Sequence, residues 1–451
     1  MNNLSNISNK LNLTSNRKKI LKNISWAVLG KIVNILSGLF IGILVARYLG
    51  PVKLGIMSYV ISYVALFKVL ATFGLDNIEI RELAKTQDNT NLIMGTAFRL
   101  RLFFAIITIL LIFITLLIFE SDRFTITMVM IYSLSVVFDT FNIIRNYFTS
   151  IILNEYVVKT EIVRTIFGTC IKVILLLIKA ELSWFIIALT FDFMLVASGY
   201  IISHKRYGKE IRHWTFDKKT AKYFIKESFP LLLSGTAIII YQRIDQVLIR
   251  NMIDNEALGF FSVAAKLTNF IIFIPSVIVQ TITPILVKNY QTDKTKYLIF
   301  RQKFMDVMLI VGLTLSLFFS LGAKIIITLT FGVKYSEAIP VLQVMAWKAL
   351  FIGLFYASGQ IILTEGIQRY AVIRNIIGCF VSVVINFILI PLYGIIGSAI
   401  AIIVAIAFSG FLANWVVKLY RSIFYIQCKS FISFPKRSKE LVAIGLSRIK
   451  K

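Results

Sequence analysis

The sequence predicts an all-α polytopic membrane protein, and three observations support this fold class. Of the 451 residues, 58% are hydrophobic, only 16% are charged, and long apolar segments follow one another with short polar connections. A soluble chain usually carries about a quarter charged residues. The balance therefore excludes a soluble enzyme, a disordered protein and a repeat solenoid.

Twelve segments are long enough to cross a bilayer as helices. A spanning helix needs roughly 20 predominantly apolar residues, because each backbone donor and acceptor must be satisfied within the segment. The polar stretch from Met1 to Asn16 and the basic residues after it do not resemble a cleavable signal peptide, so the first span is expected to stay as an anchor. The predicted spans are 24–46, 54–74, 98–119, 124–148, 162–180, 183–203, 227–249, 258–286, 304–329, 338–363, 371–391 and 394–420.

One connection differs from the others, because residues 204–226 are polar and basic. This linker is expected to separate two lobes of six helices each. The predicted organisation is a cytoplasmic tail 1–22, an N-terminal lobe 23–203, the cytoplasmic linker 204–226, a C-terminal lobe 227–420 and a basic cytoplasmic tail 421–451.

The net charge of +27 is distributed unevenly along this topology. With a cytoplasmic N-terminus, 33 of the 49 lysines and arginines fall in cytoplasmic segments and seven on the opposite side. Cytoplasmic loops of membrane proteins carry an excess of Lys and Arg. The distribution predicts that both termini are cytoplasmic, and it explains most of the positive charge without a nucleic-acid partner.

Two sequence matches indicate an internal repeat. Residues 151–155 (IILNE) match 361–365 (IILTE) at an offset of 210, and Leu54-Gly55 with Ser58 match Leu258-Gly259 with Ser262 at an offset of 204. Both matches join corresponding helices of the two halves. Six helices is an even number, so the halves are predicted to be parallel repeats related by an axis along the membrane normal.

Nine basic residues remain inside the predicted spans, against the acids Asp139, Asp192 and Asp245, with Asp306 near a span end. An intramembrane cation is costly unless it faces a partner or a water-filled cavity. The excess predicts a positively charged lumen suited to an anionic substrate. The nine are Lys31, Lys68, Arg99, Arg101, Arg145, Lys172, Arg243, Lys266 and Lys348.

Helical spacing selects the candidates among them. Arg99, Arg101 and Arg145 lie near span ends, from which long side chains can reach the headgroups. Polar stripes accompany Lys31 and Lys266, so these two and Arg243 are the first candidates for binding substrate, with Lys68 and Lys348 as weaker ones; ion pairing within the helices is the alternative. The expected polar lumen residues are Asn34, Tyr241, Gln242, Asp245 and Asn269.

Charged residues of the 210-residue repeat are candidates for a cytoplasmic gate. The alternative is that Glu155 with Lys159, and Glu365 with Arg369, are simple i,i+4 helix pairs, and this alternative is the more common arrangement. The six gate candidates are Glu155, Lys159, Arg164, Glu365, Arg369 and Arg374.

Several motifs resemble those of one transporter family. The segment ARYLGP (46–51) with Leu54-Gly55, FGLD (73–76) with RELA (81–84), and NEALGFFSVA (255–264) are similar to motifs of polysaccharide flippases, O-antigen flippases among them. These belong to the multidrug/oligosaccharidyl-lipid/polysaccharide exporter superfamily. The resemblance implies a MATE-like fold in the cytoplasmic (inner) membrane of a prokaryote. It also implies transport, without covalent catalysis, of a polyprenyl-diphosphate-linked oligosaccharide from the inner to the outer leaflet for surface polysaccharide biosynthesis.

The resemblance and the residues together set the expected partners. A lipid-linked anionic oligosaccharide, membrane lipids, glycosyltransferases and a polysaccharide polymerase are expected, and nucleic acid is not. Three cysteines and two histidines leave no disulfide framework and no zinc spacing, so no metal or cofactor is expected. Coupling to H⁺ or Na⁺ stays open, since Asp245 is available for it.

Other functions remain as alternatives at this point. A cation-coupled multidrug antiporter of the same superfamily typically uses buried acids, whereas the first span here carries Lys31 and no acid. A peptidoglycan-precursor flippase has 14 helices, two more than predicted here. A major-facilitator sugar transporter would carry a glycine- and arginine-rich motif where residues 74–85 read GLDNIEIRELAK. A membrane-embedded glycan polymerase or ligase would need a large external loop.

Overall fold

The computed structural model describes residues 2–85, 88–207 and 210–432, with side chains described at Gly30, at positions 33 and 34, and from Leu36 onward. The described residues form helices and no strand. Nine stretches of them are long and apolar enough to cross a membrane, which confirms the all-α, multi-pass prediction. The helices are α1 Asn2–Thr72, α2 Leu75–Lys85, α3 Thr90–Phe119, α4 Arg123–Ser133, α5 Ser135–Phe138, α6 Asn142–Ser150, α7 Asn154–Leu177, α8 Leu182–Arg206, α9 Lys218–Met252, α10 Asn255–Thr292, α11 Lys294–Leu321, α12 Ala323–Thr330, α13 Ala338–Met345, α14 Lys348–Thr364, α15 Ala371–Ala407 and α16 Ala413–Val416.

Two of the long helices are interrupted by a glycine. Gly50 has φ 74° and ψ 173° within α1, and Gly394 has φ 57° and ψ −139° within α15. These conformations are accessible to glycine and not to other residues without strain. Pro51 follows Gly50 directly, and a proline is tolerated in the first turn of a helix but disfavours helical geometry in the residue before it. Each of the two helices therefore consists of two helical segments that meet at the glycine.

The chain folds into two compact units. Within the described residues, the first consists of positions 2–48 and 63–235, without 86–87 and 208–209, and the second of positions 49–62 and 236–432. The core of the first unit is formed by α2, α3 and α6 to α9, with Leu75, Ile144, Phe148 and Phe224 fully buried. In the second unit, α10, α11 and α14 pack with residues 417–426 around Phe304, Met305 and Met308. Exposed apolar side chains cover many helices, as expected of surfaces that face lipid.

A buried ion cluster holds α2, α3 and α6 together in the first unit. Arg101 donates from Nε and Nη2 to the two carboxylate oxygens of Glu79 at 2.7 and 2.8 Å, and from Nη2 to Asp76 at 2.7 Å. Asn146 donates to both carboxylates. Arg101 is 2% exposed and Glu79 is fully buried. The expectation that Arg101 reaches the headgroups is therefore wrong, because two carboxylates from α2 compensate its charge inside the protein.

The repeat-related glycines of the second unit pack against each other's helices. A Cβ atom on Gly55 would lie 1.7 Å from the carbonyl oxygen of Asn255, and one on Gly259 would lie 2.0 Å from that of Pro51. Pro51 and Asn255 are themselves 204 residues apart, as are the glycines. The contact is thus reciprocal, because each glycine packs against the carbonyl group of the residue four positions before the other glycine.

Candidate functional site

The second unit contains a cavity of about 280 Å³ between four of its helices. Its polar lining consists of Tyr241, Gln242 and Arg243 of α9, Asn269 of α10, and Lys348 and Tyr356 of α14, and isoleucines of α10, α14 and α15 line the rest. Five of these six polar residues are sequence-predicted lumen residues.

Helical periodicity explains why these residues meet. On α14, Lys348, Ile352 and Tyr356 follow at intervals of four, so they share one face of the helix. Ile402 and Ile406 repeat this spacing on α15. Tyr356 was not predicted from the sequence, although its position eight residues after Lys348 places both side chains on the same face of a helix.

The cavity has an excess of positive charge. Arg243 and Lys348 are partly buried, and neither has a carboxylate oxygen of a described residue within 4.0 Å. Asp245, 2% exposed, interacts electrostatically with both and accepts a hydrogen bond from the backbone N–H of Gln246 at 2.8 Å. Two cations around one carboxylate leave a net charge that an anionic ligand can compensate.

Among the described side chains, neither Lys266 nor Lys68 lines this cavity. Lys266 is a partly buried residue of α10 with interactions of its own. Lys68 belongs to the first unit, where its ammonium lies 2.8 Å from Asp139 and 4.5 Å from the ring centroid of Phe193. The side chain of Lys31 lies outside the described residues.

Ion pairs in the first unit reduce the number of unpaired intramembrane cations. Lys172 binds Asp192, whose carboxylate would collide with a Cβ on Gly168. With Lys68 paired to Asp139 and Arg101 to Glu79, three of the nine cations are compensated by acids. Of the nine cations, Arg243 and Lys348 are the two that the structure brings together in this cavity.

Asn34 joins α1 to α7 within the first unit. Its amide oxygen accepts hydrogen bonds from Arg164 at 3.2 Å and from the hydroxyl of Thr165, and its amide nitrogen donates to Glu161 at 3.4 Å. The predicted lumen residue Asn34 and the gate candidate Arg164 thus belong to one polar cluster that includes a carboxylate.

The remaining gate candidates occupy different environments in the two repeats. Glu155 and Lys159 form an i,i+4 ion pair at 2.7 Å. Glu365 does not pair with Arg369, because α14 ends at Thr364 and Gly366 turns the chain with φ 72°. Glu365 instead accepts hydrogen bonds from Tyr297 at 2.7 Å and Arg301 at 2.8 Å, and Arg369 is exposed. The i,i+4 interpretation is therefore confirmed for the first pair and wrong for the second.

Arg374 lies in the interior of the second unit with 3% of its surface exposed. Its Nε donates to the carbonyl oxygen of Ser409 and its Nη2 to the hydroxyl of Ser358, both at 3.1 Å. The guanidinium also lies 4.7 Å from the ring centroid of Phe355. Nothing in the sequence around Arg374 distinguishes this environment from that of Arg164.

Comparisons with known proteins find similarity to proteins of polysaccharide biosynthesis. The family described as polysaccharide biosynthesis protein matches residues 20–290. A putative O-antigen transporter of Escherichia coli K12 is 24% identical over 180 residues, which cover 40% of this chain and 43% of that protein.

Two solved structures have a similar fold. The lipid II flippase MurJ in an inward closed conformation superimposes with a TM-score of 0.71 at 15% identity, covering 91% of each chain. An inward-facing multidrug resistance MATE transporter of the MOP superfamily superimposes with a TM-score of 0.65 at 14% identity, covering 88% of this chain and 96% of that one. These similarities establish the fold.

Proposed function

Since the chain belongs to the polysaccharide biosynthesis protein family, as its motifs predicted, we propose that it is a flippase for a polyprenyl-diphosphate-linked oligosaccharide in the cytoplasmic membrane of a prokaryote. The observation that carries the proposal is the cavity where Arg243 and Lys348 lie beside tyrosine and amide side chains. Such a protein moves its substrate by alternating access and breaks no covalent bond.

The proposed topology has twelve crossings, with lobes at 23–203 and 227–420 and both termini in the cytoplasm. Two of the nine candidate spans hold a glycine break, at Gly50 and Gly394, so each can provide two crossings. The 24-residue helix α7 supplies the twelfth. The reciprocal packing of Gly55 and Gly259 supports the assignment of the two lobes as parallel repeats.

The chemistry of the substrate fits the cavity. A diphosphate carries several acceptor oxygens, for which an arginine offers a planar set of donors and a lysine a point charge. Tyr241, Gln242 and Asn269 offer hydroxyl and amide groups to a sugar. Ligand sites of small molecules measure about 300–1,000 Å³, so a cavity of about 280 Å³ suits the diphosphate and the first sugar rather than a whole repeat unit.

A charge-removal experiment tests the proposal. In a strain lacking the chromosomal copy, we expect Arg243→Gln and Lys348→Gln each to reduce surface polysaccharide about tenfold or more, because a hydrogen bond to a charged group contributes about 1.5–3 kcal/mol. Lipid-linked oligosaccharide should accumulate in the inner leaflet. Lys324→Gln is the matched control, because Lys324 is exposed on α12 and its substitution removes the same charge outside the cavity.

The same strains separate the alternatives. Normal export by the Arg243/Lys348 double variant, at a normal membrane level, would show that the cavity does not carry an anion. If cells that carry the protein accumulate less of a cationic dye such as rhodamine 6G than cells that lack it, and both have the same surface polysaccharide, the protein is a multidrug antiporter. Loss of cell-wall synthesis on deletion would identify a peptidoglycan-precursor flippase. Coupling to H⁺ or Na⁺ through Asp245 is tested by imposing each gradient on reconstituted protein.

A further inference from the structure

Arg374 is a buried cation with no carboxylate oxygen of a described residue within 4.0 Å. Its electrostatic neighbours include Tyr420 and Tyr241, its guanidinium lies 4.7 Å from the ring centroid of Phe355, and its hydrogen bonds go to a hydroxyl and a carbonyl oxygen. Burying a charge without an opposite charge is costly. Its repeat counterpart Arg164 differs, because the Asn34 that it binds also contacts the carboxylate of Glu161.

The local backbone is arranged to accept the guanidinium. Residues Phe408–Leu412 form a π-helix, in which the change of hydrogen-bond register leaves carbonyl groups available to side chains. The carbonyl oxygen of Ser409 accepts from Arg374, and that of Gly410 accepts from Asn414 at 2.8 Å and Gln427 at 2.9 Å. Such π-helical turns often occur at functional sites.

The contacts of Arg374 lie directly next to the cavity lining. Phe355, whose ring it covers, precedes the lining residue Tyr356, and Ser409 follows the lining residue Ile406 by three positions. Tyr241, with which Arg374 interacts electrostatically, lines the cavity itself. The guanidinium thus contacts residues that lie one and three positions along the chain from the cavity lining.

We propose that Arg374 is a positioning residue of the cavity: its uncompensated charge acts through Tyr241 and strengthens binding of a diphosphate over that of a monophosphate. The inference rests on the proposed function and adds a third positive charge to Arg243 and Lys348. A ligand with more negative charge gains more from this field, because each charge interacts with the buried guanidinium at a low effective dielectric constant.

Binding to the purified full-length chain tests the inference, with farnesyl diphosphate and farnesyl phosphate as probes. Arg374→Gln is expected to weaken binding of the diphosphate about tenfold and that of the monophosphate about threefold. Arg374→Lys loses the contacts with Ser358 and Ser409 but keeps the charge, so it should retain diphosphate affinity within about threefold. Ser358→Ala removes a hydrogen bond without changing charge and should leave both affinities unchanged.

The outcomes distinguish this inference from the function on which it rests. If Arg243→Gln and Lys348→Gln weaken binding but Arg374→Gln does not, Arg374 is a structural residue and the proposed function stands. If none of the three weakens binding, the cationic cavity itself is refuted. If Arg374→Gln does not fold, Arg374→Lys and Tyr241→Phe decide. Arg374→Lys is expected to retain affinity for the diphosphate, and Tyr241→Phe is expected to show a weaker preference for the diphosphate over the monophosphate. Loss of diphosphate affinity in Arg374→Lys, or an unchanged preference in Tyr241→Phe, overturns the inference.

Discussion

Removal of Glu79 is expected to be among the most destabilising substitutions in the first unit. Both Arg101 and Glu79 are almost completely buried, and their two hydrogen bonds measure 2.7 and 2.8 Å. Glu79→Ala leaves the guanidinium with Asp76 alone, which is half exposed. Removing one partner of a buried ion pair lowers the free energy of unfolding by about 3–5 kcal/mol, since the other charge stays in the interior.

The matched control is Arg99→Ala, two residues away on α3. Arg99 is exposed and lies 5.6 Å from the ring centroid of Phe216. Such an exposed cation–π contact contributes about 0.5–1 kcal/mol. Purified variants are heated, and the fraction that remains monodisperse on size exclusion gives an apparent melting temperature. Glu79→Ala should melt far below the wild type and Arg99→Ala close to it.

A double variant sharpens the test. Glu79→Leu with Arg101→Met replaces both charges by apolar side chains of similar length, and it should recover at least half of the loss, because no uncompensated charge remains in the pair. If Glu79→Ala melts at the same temperature as Arg99→Ala, the ion cluster does not stabilise the fold and the reasoning fails.

Two further substitutions have defined outcomes. Gly259→Ala should lower the membrane level of the folded protein, because its Cβ would lie 2.0 Å from the carbonyl oxygen of Pro51, whereas Gly38→Ala, with no atom within 4 Å, should not; equal levels would contradict this. At the start of α9, hydrogen bonds from the hydroxyl and backbone N–H of Thr220 lower the pKa of Asp217, so its stabilising effect is present at neutral pH and is lost as the pH falls through that lowered pKa. Asp217→Ala should lower the hydrogen-exchange protection factor of the first turn of α9 at pH 7, and this protection should then no longer decrease at acid pH. A protection factor equal to that of the wild type would show that the cap is unimportant.

Local patterns were sufficient to predict the all-helical, multi-pass fold class and part of the cavity lining. Apolar length indicated the membrane-crossing helices, because each spanning segment must satisfy its own backbone hydrogen bonds. Arg243 and Lys348 were found because an intramembrane cation is costly wherever it lies.

The partners of charged residues could not be predicted in this way. The sequence does not reveal that Lys68 meets Asp139, since these residues are 71 positions apart and meet only when α1 packs against the segment joining α5 to α6. Arg374 and Arg164 look equivalent along the chain. The difference between them comes from the π-helix and from Glu161, and both belong to tertiary packing.

The crossing at Gly55 and Gly259 has a consequence for how the protein can evolve. Side chains that collide can adapt to each other by paired substitutions, but here each glycine faces a main-chain carbonyl group, of Asn255 or of Pro51, which every amino acid carries. A substitution at Asn255 or Pro51 cannot remove the carbonyl oxygen with which the Cβ atom would collide. Two residues 204 positions apart are therefore constrained independently, and sequences that diverge elsewhere in the two repeats are expected to keep glycine at both.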